Sequence, residues 1–373
     1  MRFGRFAINV LMLIGFSGPL KFSGSAQAVT FNNVVTLGDS LLDDTSGGRS
    51  PVAAEHVANR LGVSVTKFAE SGSTSDNLIV SGQHTQAATQ FGTGDLAMLW
   101  IGGNDFFTNP IAVASGDSDF LNTLESNVDQ VMSTLSAAGI EIVAFNLPDM
   151  AEVPGVISAV NLATFGIPLL RDNALENITE ETIAWNSRLA DLADTYNATV
   201  VDVFGLFNEL KADPSSFALL GNDPILNADT GCQFCVFFDD FLLPDVHPSS
   251  FAQAFIANEA IESINQSFDP SATMPLQPLS IIEIAALADV FASDFDGNNL
   301  VDGGDLSQWQ AGYGQAGADA DGDGDSDGDD FLIWQSQVNS TGSLAASSVP
   351  EPAGSTLAIG FLVLGITSRR RMH

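Results

Sequence analysis

Residues 33–42 read Asn-Val-Val-Thr-Leu-Gly-Asp-Ser-Leu-Leu. Val34–Leu37 is an extended apolar run closed by Gly38, the pattern of a buried strand that leaves through a turn. Comparable runs recur at Ser64–Phe68, Leu96–Ile101, Ile140–Phe145 and Thr199–Val203. Between them, Val52–Leu61, Phe120–Ala138 and Glu180–Tyr196 carry apolar residues at three- and four-residue spacing, and Phe251–Ile264 does so after the last strand. Parallel strands need crossover connections, so this alternation predicts an α/β fold with a parallel sheet and helices on both faces. In such sheets the active site lies beyond the carboxyl ends of the strands.

The first strand runs into Gly38-Asp39-Ser40-Leu41. A strand end presents a serine rigidly, and its hydroxyl becomes a useful nucleophile when a neighbouring base takes its proton. Alone, the string also fits an ordinary strand exit. Three other blocks fall where such chemistry needs them: Phe68-Ala-Glu-Ser-Gly72-Ser73 after the second strand, Ile101-Gly-Gly103-Asn104-Asp105 after the third, and Pro244-Asp245-Val246-His247-Pro248 before the last helix. Taken singly, Gly72 fits a turn glycine and Asn104-Asp105 a helix cap.

Together, in this order and with Phe145-Asn-Leu-Pro-Asp149, these blocks resemble the SGNH or GDSL hydrolase family over roughly residues 31–268. The resemblance implies a flavodoxin-like three-layer α/β/α sandwich and hydrolysis of carboxylic esters by a serine esterase or lipase, with no catalytic cofactor. It assigns Ser40 as nucleophile and His247 as general base. The oxyanion donors would be the backbone N–H groups of Ser40 and Gly72 and the side-chain amide of Asn104. His56 and His84 match no block and are expected at the surface. The family's last block is usually Asp-x-x-His, whereas Pro244 stands three residues before His247 and Asp245 two before it. The orienting acid is therefore Asp245, Asp239 or Asp240, or a backbone carbonyl in a Ser-His dyad.

The chain has 46 acidic and 12 basic residues, a net charge of −34. Such a charge repels nucleic acid and anionic lipid and favours cations and neutral substrates. Residues 294–330 hold eleven Asp and no Lys or Arg. There Asp294, Asp296, Asn298, Asp302 and Asp305, with the Leu300 carbonyl, occupy loop positions suited to a hard cation. Asp319, Asp321, Asp323, Asp327 and Asp330, with Asp325 at the carbonyl position, repeat the pattern 25 residues on, and Trp309 and Trp334 keep the same offset. This pair resembles a small α-helical dockerin-like module with calcium in each loop; a disordered acidic linker is the alternative. Asn299 stands where Gly is usual, and Ser326 where an apolar residue is expected.

Arg2, Arg5, the apolar run from Phe6 to Phe16 and Ala26-Gln27-Ala28 predict a cleaved signal peptide over 1–28. Export brings an oxidising compartment in which Cys232 and Cys235 can close a tight disulfide; a redox pair or half a zinc site shares that spacing. The expected order is hydrolase domain 29–268, linker 269–279, calcium repeats 280–338, Ser/Gly-rich linker 339–348 and a tail at 349–373. The tail joins Val349-Pro-Glu-Pro352, the apolar run Leu357–Ile366 and Arg369–Arg371. It resembles a PEP-CTERM sorting signal, which implies a sorting protease in the membrane and a cell-surface or extracellular destination; a retained anchor is the alternative. Expected partners are an ester substrate (lipid, small ester or acetylated polysaccharide) and a protein or matrix partner of the acidic module, with no nucleic acid. A rival reading keeps the hydrolase fold as a non-catalytic scaffold, and acyl transfer would use the same residues.

Overall fold

The computed structural model describes residues 30–43, 51–219, 225–227, 240–242, 247–268, 275–288, 291–298, 300–321 and 324–340. Five parallel strands form the central sheet: β1 (Asn33–Gly38), β2 (Ser64–Lys67), β3 (Asp95–Trp100), β4 (Glu141–Phe145) and β5 (Thr199–Val201). Their order is β2-β1-β3-β4-β5. A short parallel pair, β6 (Ile225–Asn227) and β7 (Asp240–Leu242), lies apart from that sheet. The helices are α1 (Ala53–Leu61), α2 (Ser75–Ser81), α3 (Gln83–Gln90), α4 (Gly103–Thr108), α5 (Pro110–Ala114), α6 (Ser118–Ala137), α7 (Pro154–Ala163), α8 (Pro168–Tyr196), α9 (Val203–Ala212), α10 (Ser250–Phe268), α11 (Ile281–Leu287), α12 (Gly303–Gly312) and α13 (Gly328–Gln337). This is the expected flavodoxin-like three-layer sandwich.

All six residues of β3 are buried, as are the last five of β1, because each strand is flanked on both sides and covered on both faces. Successive strands are laid to one side of β1 (β2) and then to the other (β3, β4, β5), and this switch in order opens a crevice at the carboxyl ends of the parallel neighbours β1 and β3. The two strands approach so closely there that a Cβ on Gly38, at φ +125°, would lie 1.8 Å from the Trp100 carbonyl oxygen. Only glycine fits, and the next residue but one is Ser40.

Two expectations change. His56 and His84 are 7% and 2% exposed rather than at the surface. His56 lies on the inner face of α1, His84 sits 3.4 Å from the Gln130 amide of α6, and burial lowers both imidazole pKa values. Helix α8 starts at Pro168, a full three turns before Glu180, because Pro at the first helical position suits a helix start.

The expected linker is ordered where it is described. Asn258 and Asn265 of α10 each bind both the N–H and the carbonyl of one residue, Leu279 and Leu276 respectively. Leu279, Ile284 and Ala285 join the buried core of the sandwich, and Arg60 of α1 pairs with Glu283 at 2.7 Å. Helix α11 thus packs on the sandwich, while α12 and α13 pack on each other.

Candidate active site

Strand β1 delivers Ser40 into the crevice, where it is only 5% exposed. His247 precedes α10, whose first turn is capped by the Ser249 hydroxyl accepting from the Ala252 N–H. These two elements, 207 residues apart in sequence, bring His247 Nε2 to 2.7 Å from Ser40 Oγ. That is hydrogen-bond range for proton transfer from a serine hydroxyl to an imidazole.

Gly72 follows β2 at φ +79°, a backbone conformation that favours glycine. Among the described residues, neither the Ser40 nor the Gly72 backbone N–H donates a hydrogen bond. Asn104 lies in the first turn of α4, after β3, and donates from Nδ2 to the Ser73 carbonyl at 3.1 Å, which ties the third block to the second. Asp43 binds the first block to the second by accepting from the Ser71 N–H at 3.0 Å. Ser40 and Asn104 line one cavity with Leu41, Trp100, Leu147 and Met150; Gly72 does not line it. The cavity offers about 30 Å³ to the centres of water-sized molecules, room for two or three waters. Trp100 stacks on Phe145 with ring centroids 4.9 Å apart, which stiffens one wall.

Asp39 is buried beside the serine, and desolvation pushes its carboxyl up to about 7. Asp105 adds repulsion, while the Leu41 N–H and the Asn104 side chain draw the value back down. Burial likewise pushes Asp105 up to about 6, against three hydrogen bonds from Ser75. Asp245 and Asp239 lie outside the described residues, as do Cys232 and Cys235, and of Asp240 only the backbone is described.

Two side chains that the motifs did not single out hold the serine turn. Gln83 accepts from the Gly38 N–H at 2.8 Å and donates to its carbonyl at 3.1 Å. Gln253 accepts from the Ala53 N–H and donates to the Leu41 carbonyl. Asn186 grips Leu147 of the cavity wall in the same two-handed way. A primary amide offers donor and acceptor side by side and so imitates the edge of a strand. Such residues look unremarkable in sequence.

In the acidic region, carboxylate oxygens of Asp294, Asp296 and Asp305 lie within 4.8 Å of one another, as do those of Asp319, Asp321 and Asp330. Asp302 and Asp327 are not in these groups; their side chains cap α12 and α13. Asp323 and Asn299 lie outside the described residues, whereas Asn298, Leu300 and Asp325 lie in the loops as expected. Ser326 is buried with its hydroxyl accepting from the Ala318 N–H at 2.7 Å, which satisfies the polar group at an apolar position. The loops lock reciprocally: Trp309 Nε1 donates to the Asp327 carbonyl and Trp334 Nε1 to that of Asp302.

Residues 36–254 match the model of the GDSL-like Lipase/Acylhydrolase family. Similar solved structures include a member of the lipolytic protein G-D-S-L family from Veillonella parvula DSM 2008, at 13% identity and TM-score 0.40 over 63% of this chain and 98% of that one. An acetylxylan esterase from Geobacillus stearothermophilus is 14% identical, with TM-score 0.40 over 64% of this chain and 95% of the other. Phospholipase A1 from Streptomyces albidoflavus NA297 is also 14% identical at TM-score 0.40, over 64% and 99%. No curated protein matches the chain.

Proposed function

Because the chain belongs to the GDSL-like lipase/acylhydrolase family, we propose that it hydrolyses carboxylic esters with Ser40 as nucleophile and His247 as general base. The 2.7 Å approach of His247 Nε2 to Ser40 Oγ at the wall of an apolar cavity carries the reading. In the first step Ser40 Oγ bonds to the ester carbonyl carbon while its proton passes to His247 Nε2. The oxyanion is met by the Ser40 and Gly72 N–H groups and the Asn104 amide. Collapse breaks the bond to the alcohol oxygen, which takes the proton from His247 and leaves acyl-Ser40. Water, deprotonated by the same imidazole, then releases the acid. Asp245 is our choice for the carboxylate that orients the ring. No metal enters these steps.

The net charge of −34 favours neutral esters. Turnover of neutral and anionic p-nitrophenyl esters of graded chain length by the full chain tests the reading. Turnover of the neutral esters is expected; no turnover of any ester would overturn the reading.

Each acidic loop is proposed to bind calcium, since its donors are all oxygen and its crowded carboxylates repel one another until a cation neutralises them. Residues 1–28 and 353–373 are proposed to be removed during export and sorting, as Val349-Pro-Glu-Pro352 directly precedes a short apolar run and three arginines. Intact mass of the protein from its native host checks this; a retained Arg369–Arg371 cluster would mean an anchor.

A further inference from the structure

Helix α7 starts at the catalytic cavity, which its N-cap residue Val153 lines, and runs about 15 Å outward at ~1.5 Å per residue. At its far end the chain turns into α8 through Thr164-Phe-Gly-Ile167. Leu162, Phe165 and Leu169 are 80%, 90% and 70% exposed there, and Ile167 and Leu170 stand out beside them. From Val153 to Leu170 there is no ionisable residue, in a chain with 58 Asp, Glu, Lys and Arg. The stretch Phe106–Gly116, which includes α5 packed against α7 and α8, is uncharged too.

The corner also keeps a costly conformation. Phe165 sits at φ +55° and Gly166 at φ +66°, with the Gly166 N–H closing the helix end on the Asn161 carbonyl. Glycine is the usual residue at such a left-handed helix end. An aromatic residue there gains no burial that would offset the strain, so its exposure has another use.

We propose that this uncharged corner docks the protein onto a zwitterionic lipid surface, with Phe165 and its neighbouring leucines entering the acyl region and α7 leading back to the catalytic cavity. Charge decides among occupants. Anionic lipid and a second copy of this chain are both repelled by a net charge of −34, whereas a zwitterionic surface is not. Leucine and isoleucine offer no flat face for stacking on a sugar, which disfavours a glycan. The docking rests on the hydrolase reading only for its purpose, not for its measurement.

The test uses the full chain carrying Ser40→Ala, so that lipid is not consumed, with a Phe165→Trp derivative and vesicles of brominated phosphatidylcholine. The added tryptophan is expected to be quenched at least twofold more than those of the Ser40→Ala parent, and Leu169→Asp to abolish the excess. In the same background Phe165→Gly is expected to hold or raise Tm while lowering vesicle affinity about tenfold or more. No excess quenching would overturn the proposal. So would a marked fall in Tm for Phe165→Gly, or a concentration-dependent dimer that Leu169→Asp dissolves. Loss of p-nitrophenyl ester turnover by the unsubstituted chain would instead strike the hydrolase reading and leave the docking result standing.

Discussion

Gln83 holds Gly38 by both its N–H and its carbonyl, two residues before the serine that His247 reaches. The Gly38 carbonyl also accepts from the Glu70 N–H, so loss of the glutamine orphans chiefly the Gly38 N–H. Gln83→Leu is expected to cost about 1–3 kcal/mol of stability, the usual penalty for an unpaired buried donor. It should also lower kcat with KM nearly unchanged, because the nucleophile rather than the substrate cavity loses its support. Urea unfolding and steady-state kinetics check both.

Ser40→Ala and His247→Ala are each expected to abolish ester turnover, since nucleophile and base act as a unit. Asn104→Ala should lower kcat by roughly 10²–10³, the effect of removing one oxyanion donor. Circular dichroism of the variants separates these losses from unfolding. An unchanged kcat in Asn104→Ala would leave its bond to Ser73 as its whole role.

Asp39 supplies a pH dependence with a definite sign. Its carboxyl is raised from 3.8 to about 7, so between those values the folded state keeps a proton that the unfolded state has lost. The folded state is therefore favoured at acid pH and loses that advantage as pH rises towards 7. In the proposed mechanism the carboxylate ionised above about 7 is also expected to oppose the oxyanion formed beside Ser40. Asp39→Asn is expected to raise Tm more at pH 8 than at pH 4 and to flatten the alkaline limb of the kcat profile.

Calcium added to the full chain should increase helicity and perturb the fluorescence of Trp309 and Trp334, because each indole bonds to the loop that precedes the other's helix. Asp305→Ala and Asp330→Ala, at positions 0% exposed, are expected to weaken binding at the loop altered. Esterase activity should be unaffected by a chelator. Isothermal titration and circular dichroism decide it; no heat at millimolar calcium would restore the acidic-linker reading.

Asp245→Asn tests the orienting acid. Loss of the correct imidazole tautomer is expected to lower kcat by up to roughly 10⁴. A fall of less than about tenfold, with Asp239→Asn and Asp240→Asn equally mild, would leave a Ser-His dyad.

The strands were legible because each is a short apolar run ended by glycine or a polar turn, and period and length then fix the layer order. The serine and histidine were legible for a different reason: they stand in blocks whose order reports the strand ends. Helix α7 was missed because its apolar residues face both the core and solvent, so no helical stripe separates from the background. His56 and His84 were misplaced because polarity alone suggested exposure, whereas α1 and α3 turn those faces inward. The amide grips of Gln83, Asn186, Asn258 and Asn265 were invisible, since an amide pairing with backbone leaves no periodicity and no motif.

The strap formed by residues 275–279 has a mechanical meaning. A pull on the acidic region, if it is tethered, enters the sandwich through Leu276, Leu279 and α11 and is borne by two asparagine forks and the Arg60–Glu283 pair. Those forks lie one full heptad apart on α10, so the load spreads along the helix instead of peeling one bond at a time. The same helix begins three residues after His247. Tension therefore arrives at the frame that positions His247 against Ser40, and the tether and the candidate site share a girder.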